Sequence, residues 1–108
     1  MDRGTTDPSI HYKQPSEKHT LTVDYTNRLP DSVTLSMASM TALNLRTRAD
    51  ATSNIVTGTS MTVDADGLTA SGQVKNGVAG ERFKLTVSAL LSNTDVYQDE
   101  IILEINEK

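Results

Sequence analysis

The chain contains no cysteine and no tryptophan, and its 108 residues include only one phenylalanine and three tyrosines. Without cysteine, disulfides, thiolate nucleophiles and thiolate-bound zinc are excluded. A hydrophobic core must therefore be built mostly from Leu, Ile, Val, Met and Ala. The exposed aromatic platforms with which many β-sandwiches bind carbohydrate are disfavoured for the same reason.

Basic clusters and long apolar runs are also missing. The net charge of −4 disfavours nucleic acid as a partner, because neutralising phosphates requires clustered Lys and Arg. No apolar stretch approaches the roughly 20 residues of a membrane helix, so we expect no membrane partner. The first residues have no apolar signal core, and we expect a product made soluble in the cytoplasm.

The sequence contains few candidate catalytic residues. His11 and His19 are the only histidines, and neither accompanies a serine or carboxylate pattern typical of a triad. Asp64-Ala65-Asp66-Gly67 resembles the opening of a calcium loop, but the next acidic residue is Glu81, too far along to complete one. We therefore expect a tight turn there, no catalytic residues, no metal and no cofactor.

Serine and threonine supply 25 residues, which favours strands over helices. Apolar residues alternate with polar ones in several segments, as in half-buried strands. Near Ser39–Thr41 the alternation changes phase, which predicts a turn or bulge. Residues 46–54 are predicted to be a polar loop and residues 68–74 an edge strand. The alternating apolar positions are Leu21, Val23, Tyr25; Val33, Leu35, Met37; Ile55, Val56; Met61, Val63; Phe83, Leu85, Val87, Ala89; and Ile101, Leu103, Ile105.

Turn signals separate these segments every 8–12 residues or so, as in two-sheet sandwiches. Asn76-Gly77 is the clearest, since this pair readily supplies two positive φ angles and is typical of a hairpin. The pattern predicts an all-β, immunoglobulin-like antiparallel sandwich of about seven strands over residues 19–108. Its predicted core is Leu21, Val23, Val33, Leu35, Leu85, Val87, Leu103 and Ile105.

Residues 1–18 differ from the rest, with two of the three prolines and almost nothing apolar. Their composition predicts an extended N-terminal arm. Two interpretations are open: a disordered tail, or an arm that orders against a neighbouring subunit and acts in assembly rather than in folding. The residues of this candidate interaction arm are Pro8, His11, Tyr12, Lys13 and Pro15.

The stretch from Gly77-Val78-Ala79-Gly80 through the strand at Phe83 to Ile105 resembles fibronectin-III and bacterial immunoglobulin-like domains. More narrowly, residues 13–107 resemble small immunoglobulin-like structural proteins of tailed bacteriophages. The matching motifs are Lys13-Gln14-Pro15, Asp24-Tyr25, Asp31-Ser32-Val33-Thr34 and the Gly-x-x-Gly turn. The chain departs from the pattern in having Phe83 where those proteins have tyrosine, and in lacking a tryptophan in its first half.

This resemblance implies a non-enzymatic virion protein, a head-decoration or neck or tail-accessory component. Its partners would be other virion proteins of the capsid, neck or tail, with several copies of the chain forming a homo-oligomer on the particle. The alternative is an adhesion or glycan-binding module for host-surface attachment. Such a module would use loop tips at one end of the sandwich, for which residues 46–54 and 91–96 are the candidates.

Overall fold

The computed structural model of the chain describes residues 9–106. Seven strands and one short helix follow one another along this part of the chain. Their bounds are β1 Ser9–Lys13, β2 His19–Asp24, β3 Leu35–Asn44, α1 Thr52–Ile55, β4 Thr62–Val63, β5 Thr69–Val74, β6 Arg82–Leu91 and β7 Val96–Ile105. Within residues 9–106, no helix is long and apolar enough to cross a membrane.

The strands form two sheets. One has four strands in the order β1-β7-β6-β3, and the other has three in the order β2-β5-β4. Every pair is antiparallel except β1 with β7, which run parallel. If β1 to β7 are lettered A to G, the sheets contain the neighbours B-E-D and C-F-G of an immunoglobulin sandwich. The predicted fold class is therefore confirmed.

The core lies between the two sheets and is formed by alternate side chains of each strand. On β6 the positions Phe83, Leu85, Val87 and Ala89 are buried and the residues between them are not. Of the eight predicted core residues, six are buried, and Val23 and Val33 are partly buried against them. Tyr25, Met40 and Ile55 are fully buried members that the core prediction did not include.

Three local predictions differ from the structure. The phase change in β3 is a register shift between Leu35 and Met37, earlier than predicted, so that Met37 points outward and is 59% exposed. Strand β5 is the middle strand of its sheet and not an edge. Ile55 ends helix α1, and Val56 makes one isolated bridge to Val74 in place of a short strand.

The segment Lys75–Gly80 turns as predicted but does not form a hairpin. Asn76 and Gly77 both have positive φ angles, 59° and 98°. The strands that they join, β5 and β6, belong to different sheets. A Cβ atom on Gly77 would lie 2.8 Å from Cγ1 of Ile105, so this crossover also needs glycine for space.

One polar cluster holds the long β2–β3 loop against β7. The guanidinium of Arg28 lies 4.8 Å from the ring centre of Tyr25 and 5.5 Å from that of Tyr97. Its Nη1 donates to Oδ2 of Asp99 at 3.0 Å, and the Tyr97 hydroxyl donates to the Arg28 carbonyl at 3.2 Å. Burial, together with the negative charge of Asp99, raises the pKa of Tyr25. These contacts join the loop to β7, which lies about 70 residues further along the chain.

Candidate interaction surface

The residues of the predicted interaction arm do not form one contact site. Residues 9–13 are strand β1, paired in parallel with β7 of the same chain. Tyr12 points outward and is 54% exposed, whereas Lys13 is buried. His11 faces His19 on β2, and Pro15 lies in the turn after β1, where its carbonyl accepts a bond from Lys13 Nζ. Pro8 lies outside the described residues.

The outer face of the four-stranded sheet has an apolar row at one end. Met37 on β3 is paired with Leu90 on β6, and Leu90 is paired with Val96 on β7. Met37 is 59% exposed and Val96 58% exposed, with Leu90 half-buried between them. Three strands therefore present adjacent apolar side chains to solvent.

A second apolar group lies toward the other end of the same face. Ile10 on β1 is paired with Ile102 on β7, and Ile102 with Lys84 on β6. Ile10 is 48% exposed, and the exposed ring of Tyr12 stands two residues further along β1. Between the two groups lie polar rows, among them Ser88 with Gln98, whose Nε2 donates to the serine hydroxyl at 3.2 Å.

The outer face of the three-stranded sheet has a different composition. Its outward positions are hydroxyl, amide and carboxylate side chains: Thr20, Thr22, Asp24, Thr62, Thr69, Ser71 and Gln73. Of the five large apolar side chains exposed among residues 9–106, four lie on the four-stranded sheet and one, Val78, in the β5–β6 crossover. Exposed apolar surface is thus concentrated on one side of the sandwich.

A polar cluster lies between β1 of the four-stranded sheet and β2 of the three-stranded sheet. His11 Nε2 and His19 Nδ1 are 2.7 Å apart, and the two rings meet edge to face. Oε1 of Glu17 lies 3.2 Å from Nε2 of His19 and also accepts the backbone N–H of Gln14. That backbone hydrogen bond is the main reason that the pKa of Glu17 is lowered. Burial, with the nearby His19, lowers the pKa of His11.

The two loops that the adhesion alternative requires lie at opposite ends of the sandwich. Leu35, at the start of β3, is paired with Leu91 beside residues 91–96. Asn44, at the other end of β3, is paired with Phe83 and precedes residues 46–54. The latter segment also folds back on the sheet, since Ala51 N–H donates to the Ala42 carbonyl at 2.9 Å. These two loops do not form a common binding site.

The segment Asp64–Gly67 is the turn of the β4–β5 hairpin, as the sequence predicts. Gly67 N–H donates to the Asp64 carbonyl at 2.8 Å, and the Asp66 carboxylate accepts Leu68 N–H at 3.0 Å. Within residues 9–106, no group of three or more His, Asp or Glu side chains is placed to hold a metal ion. The Asp66 side chain serves here to cap the turn.

The fold and surface define an immunoglobulin-like sandwich with two exposed apolar groups on the outer face of its four-stranded sheet. No protein-family model matches the chain, and no curated protein matches it either.

Sequence reasoning did not find the Met37–Leu90–Val96 row. The alternation places Met37 on the same face as Val33 and Leu35, and Leu90 and Val96 come from different segments that only the register brings together. The cluster of His11, His19 and Glu17 was missed as well. The sequence signal for this cluster is a polar residue, His11, at an inward-facing position. That position can be identified only once β1 is recognised as a strand.

Proposed function

We propose that the chain is a non-enzymatic structural protein of a bacteriophage particle, a head-decoration or neck or tail-accessory component. It binds neighbouring particle proteins through the outer face of its four-stranded sheet. The observation that carries this proposal is the concentration of exposed apolar side chains on that face, above all Met37 and Val96. The assignment to a phage particle is supported by the resemblance of residues 13–107 to phage immunoglobulin-like proteins.

The size of the face is adequate for such a contact. Four strands about 4.8 Å apart, with lengths up to about 30 Å, present on the order of 600 Å² in projection. Specific interfaces bury about 800 Å² per partner, so this face with its rim supplies most of a standard interface. Many copies on one particle would strengthen a weak contact through effective concentration.

The test is co-sedimentation of purified chain with the assembled particle that contains it. Met37→Glu and Val96→Glu place a charge at one or the other end of the apolar row, on either side of Leu90. An unpaired charge is costly to bury, so each variant should bind at least about tenfold more weakly, equivalent to about 1.4 kcal/mol.

Thr22→Glu and Thr62→Glu are the matched controls, because both residues are exposed on the opposite sheet. These variants should co-sediment like the unchanged chain, and all four should melt within a few degrees of it. Equal binding by Met37→Glu and Thr22→Glu would place the contact elsewhere. A chain that binds no particle would refute the assignment to a virion.

A further inference from the structure

Strand β1 is attached to the sandwich differently from the other long strands. No apolar side chain of residues 10–13 is buried: Ile10 and Tyr12 are about half exposed. The side chains that point inward are those of His11 and Lys13. Fully buried Val, Leu, Ile and Phe side chains stabilise a strand through the hydrophobic effect, and β6 contains several such residues. Strand β1 lacks this contribution and is held by backbone pairing and polar contacts.

The polar contacts that leave β1 are few. Lys13 Nζ donates to the carbonyls of Gln14 at 2.7 Å and Pro15 at 3.3 Å, which belong to the turn that follows the strand. The Lys13 carbonyl accepts the N–H of Asn106 at 2.9 Å, the last backbone bond of the pairing with β7. Among the described residues, His11 to His19 is the single side-chain hydrogen bond between β1 and another strand.

This bond depends on the number of protons that the two rings hold. At 2.7 Å, one nitrogen must donate and the other must accept. With His19 Nε2–H directed at Glu17, its Nδ1 is the acceptor and His11 Nε2–H is the donor. One added proton can be accommodated, because the pair still contains an acceptor. When both rings are protonated, two N–H groups and two positive charges face each other and the bond is lost.

The direction of the pH effect follows from the pKa of His11, which burial and His19 lower from the ordinary 6.5. The attached strand therefore binds fewer protons than a detached one, and its attachment weakens as the pH falls below about 6.5. The other charged groups near the cluster are Glu17, whose Oε1 lies 3.2 Å from Nε2 of His19, and Lys13, two residues from His11 on β1. Leu103, the β7 residue paired with His11, is apolar.

We propose that β1 is an exchangeable strand: when protonation of the His11–His19 pair releases it, the exposed edge of β7 binds β1 from a second copy of this chain. The incoming strand is expected to pair with β7 as β1 does within one chain, from Ser9 with Ile101 to Lys13 with Ile105. A second copy offers the same five residues in the same register. This inference is independent of the proposed function, because the partner is the chain itself.

The connection between β1 and β2 allows the exchange. Residues 14–18 form a turn closed by the Glu17 N–H to Gln14 carbonyl bond, at 3.1 Å. Extended, five residues span roughly 17 Å, enough to carry β1 away from its own sandwich. An exchanged strand makes the same contacts as the strand of the chain itself. The equilibrium between monomer and exchanged dimer therefore depends on how the chain concentration compares with the effective concentration of the tethered strand. Reciprocal exchange gives a closed dimer.

The test mixes two single-cysteine variants, Ile10→Cys and Ile102→Cys, one of which has a tag that changes its size. The chain has no other cysteine, and the two positions are register partners on the outer face. After incubation at about pH 5 or about pH 7.5, all samples are returned to neutral pH and oxidised. The mixed disulfide should be several-fold more abundant after acid, and more abundant than either symmetric disulfide.

Thr20→Cys with Gln73→Cys is the matched control, since these are partners on β2 and β5, which do not exchange. His11→Gln, added to both cysteine variants, keeps a hydrogen-bond donor but cannot be protonated, so the mixed disulfide of this pair should not depend on pH. His19→Gln does the same if the first variant fails to fold. Cross-linking no greater than in the Thr20 and Gln73 control would overturn strand exchange. Acid dependence that persists in both glutamine variants would overturn the role of the histidines.

Discussion

The β4–β5 turn contacts the start of β3 in the other sheet, and Gly67 is the residue at that contact. Gly67 has a φ of 71°, and a Cβ atom added to it would lie 2.7 Å from the Cβ of Thr34. Its carbonyl accepts the N–H of Leu35 at 2.8 Å, where β3 begins. The turn of the three-stranded sheet is thus attached to the first residue of a strand in the other sheet.

Gly67→Ala should destabilise the protein by two separable effects. The left-handed backbone costs an L-residue about 1–2 kcal/mol. The new methyl carbon must also move about 1 Å from Thr34 to reach a normal contact, and overpacking of this kind costs about 1–3 kcal/mol. We therefore expect a loss of about 2–5 kcal/mol in the free energy of unfolding, measured by urea denaturation.

Gly58→Ala provides the matched control. Gly58 also has a positive φ, 80°, but an added Cβ atom would have no neighbour within 4 Å. It should cost only the backbone contribution of about 1–2 kcal/mol. Thr34→Gly should recover part of the loss in Gly67→Ala and none of that in Gly58→Ala, as a double-mutant cycle would show. Equal losses for the two alanine variants would refute the close approach of Gly67 to Thr34.

Three further predictions concern the core, the alkaline limit and calcium. Leu103→Ala should lower the free energy of unfolding in urea by about 2–5 kcal/mol, whereas Glu104→Ala, on the outer face, should change it by less than about 1 kcal/mol; equal losses would contradict the inward phase of β7. Because the pKa of Tyr25 is raised in the fold, stability should decline as the pH rises above about 10, by up to about 1.4 kcal/mol per pH unit, and Tyr25→Phe should show a shallower decline in the same denaturation series. Excess chelator should leave the melting temperature unchanged; a fall of several degrees would indicate calcium at Asp64 and Asp66.

The strands that the sequence predicted well are those whose two faces differ in polarity. On β6, Phe83 and Leu85 alternate with Lys84 and Thr86, so both the strand and its buried face follow from the pattern. Strand β1 has the opposite arrangement, with Ile10 and Tyr12 outside and His11 inside. An arm-like composition therefore concealed a strand, because the usual signal of apolar residues on the buried face is absent.

Long-range geometry accounts for the other differences. Asn76-Gly77 has the backbone angles expected of a hairpin, but angles alone do not determine which sheet the next strand joins. The register shift before Met37 depends on packing against β6, and a displacement of one residue changes the face of every side chain that follows. For the same reason the apolar row could not be predicted: it requires the registers of three strands at once.

The exposed apolar row has no evident role in holding the isolated sandwich together. The three-stranded sheet shows that polar side chains are sufficient on an outer face, since Thr22 and Ser71 form a cross-strand hydrogen bond there at 2.9 Å. Met37 and Val96 are more than half exposed, so they add little to folding, and adjacent exposed apolar groups reduce solubility. Contact with another protein would compensate for that disadvantage.

Strand β1 combines polar side chains on its inward face with apolar side chains on its outward face. Inward-pointing polar or charged residues weaken an edge strand and discourage permanent pairing with other chains, and His11 and Lys13 have this position. The exposed side chains of Ile10 and Tyr12 nevertheless offer apolar surface on the same strand. A strand of this kind is suited to reversible contacts, since it offers surface to a partner while its own attachment depends on a protonation state. The proposed exchange follows from this edge strand, whereas the proposed interface rests above all on Met37 of β3 and Val96 of β7.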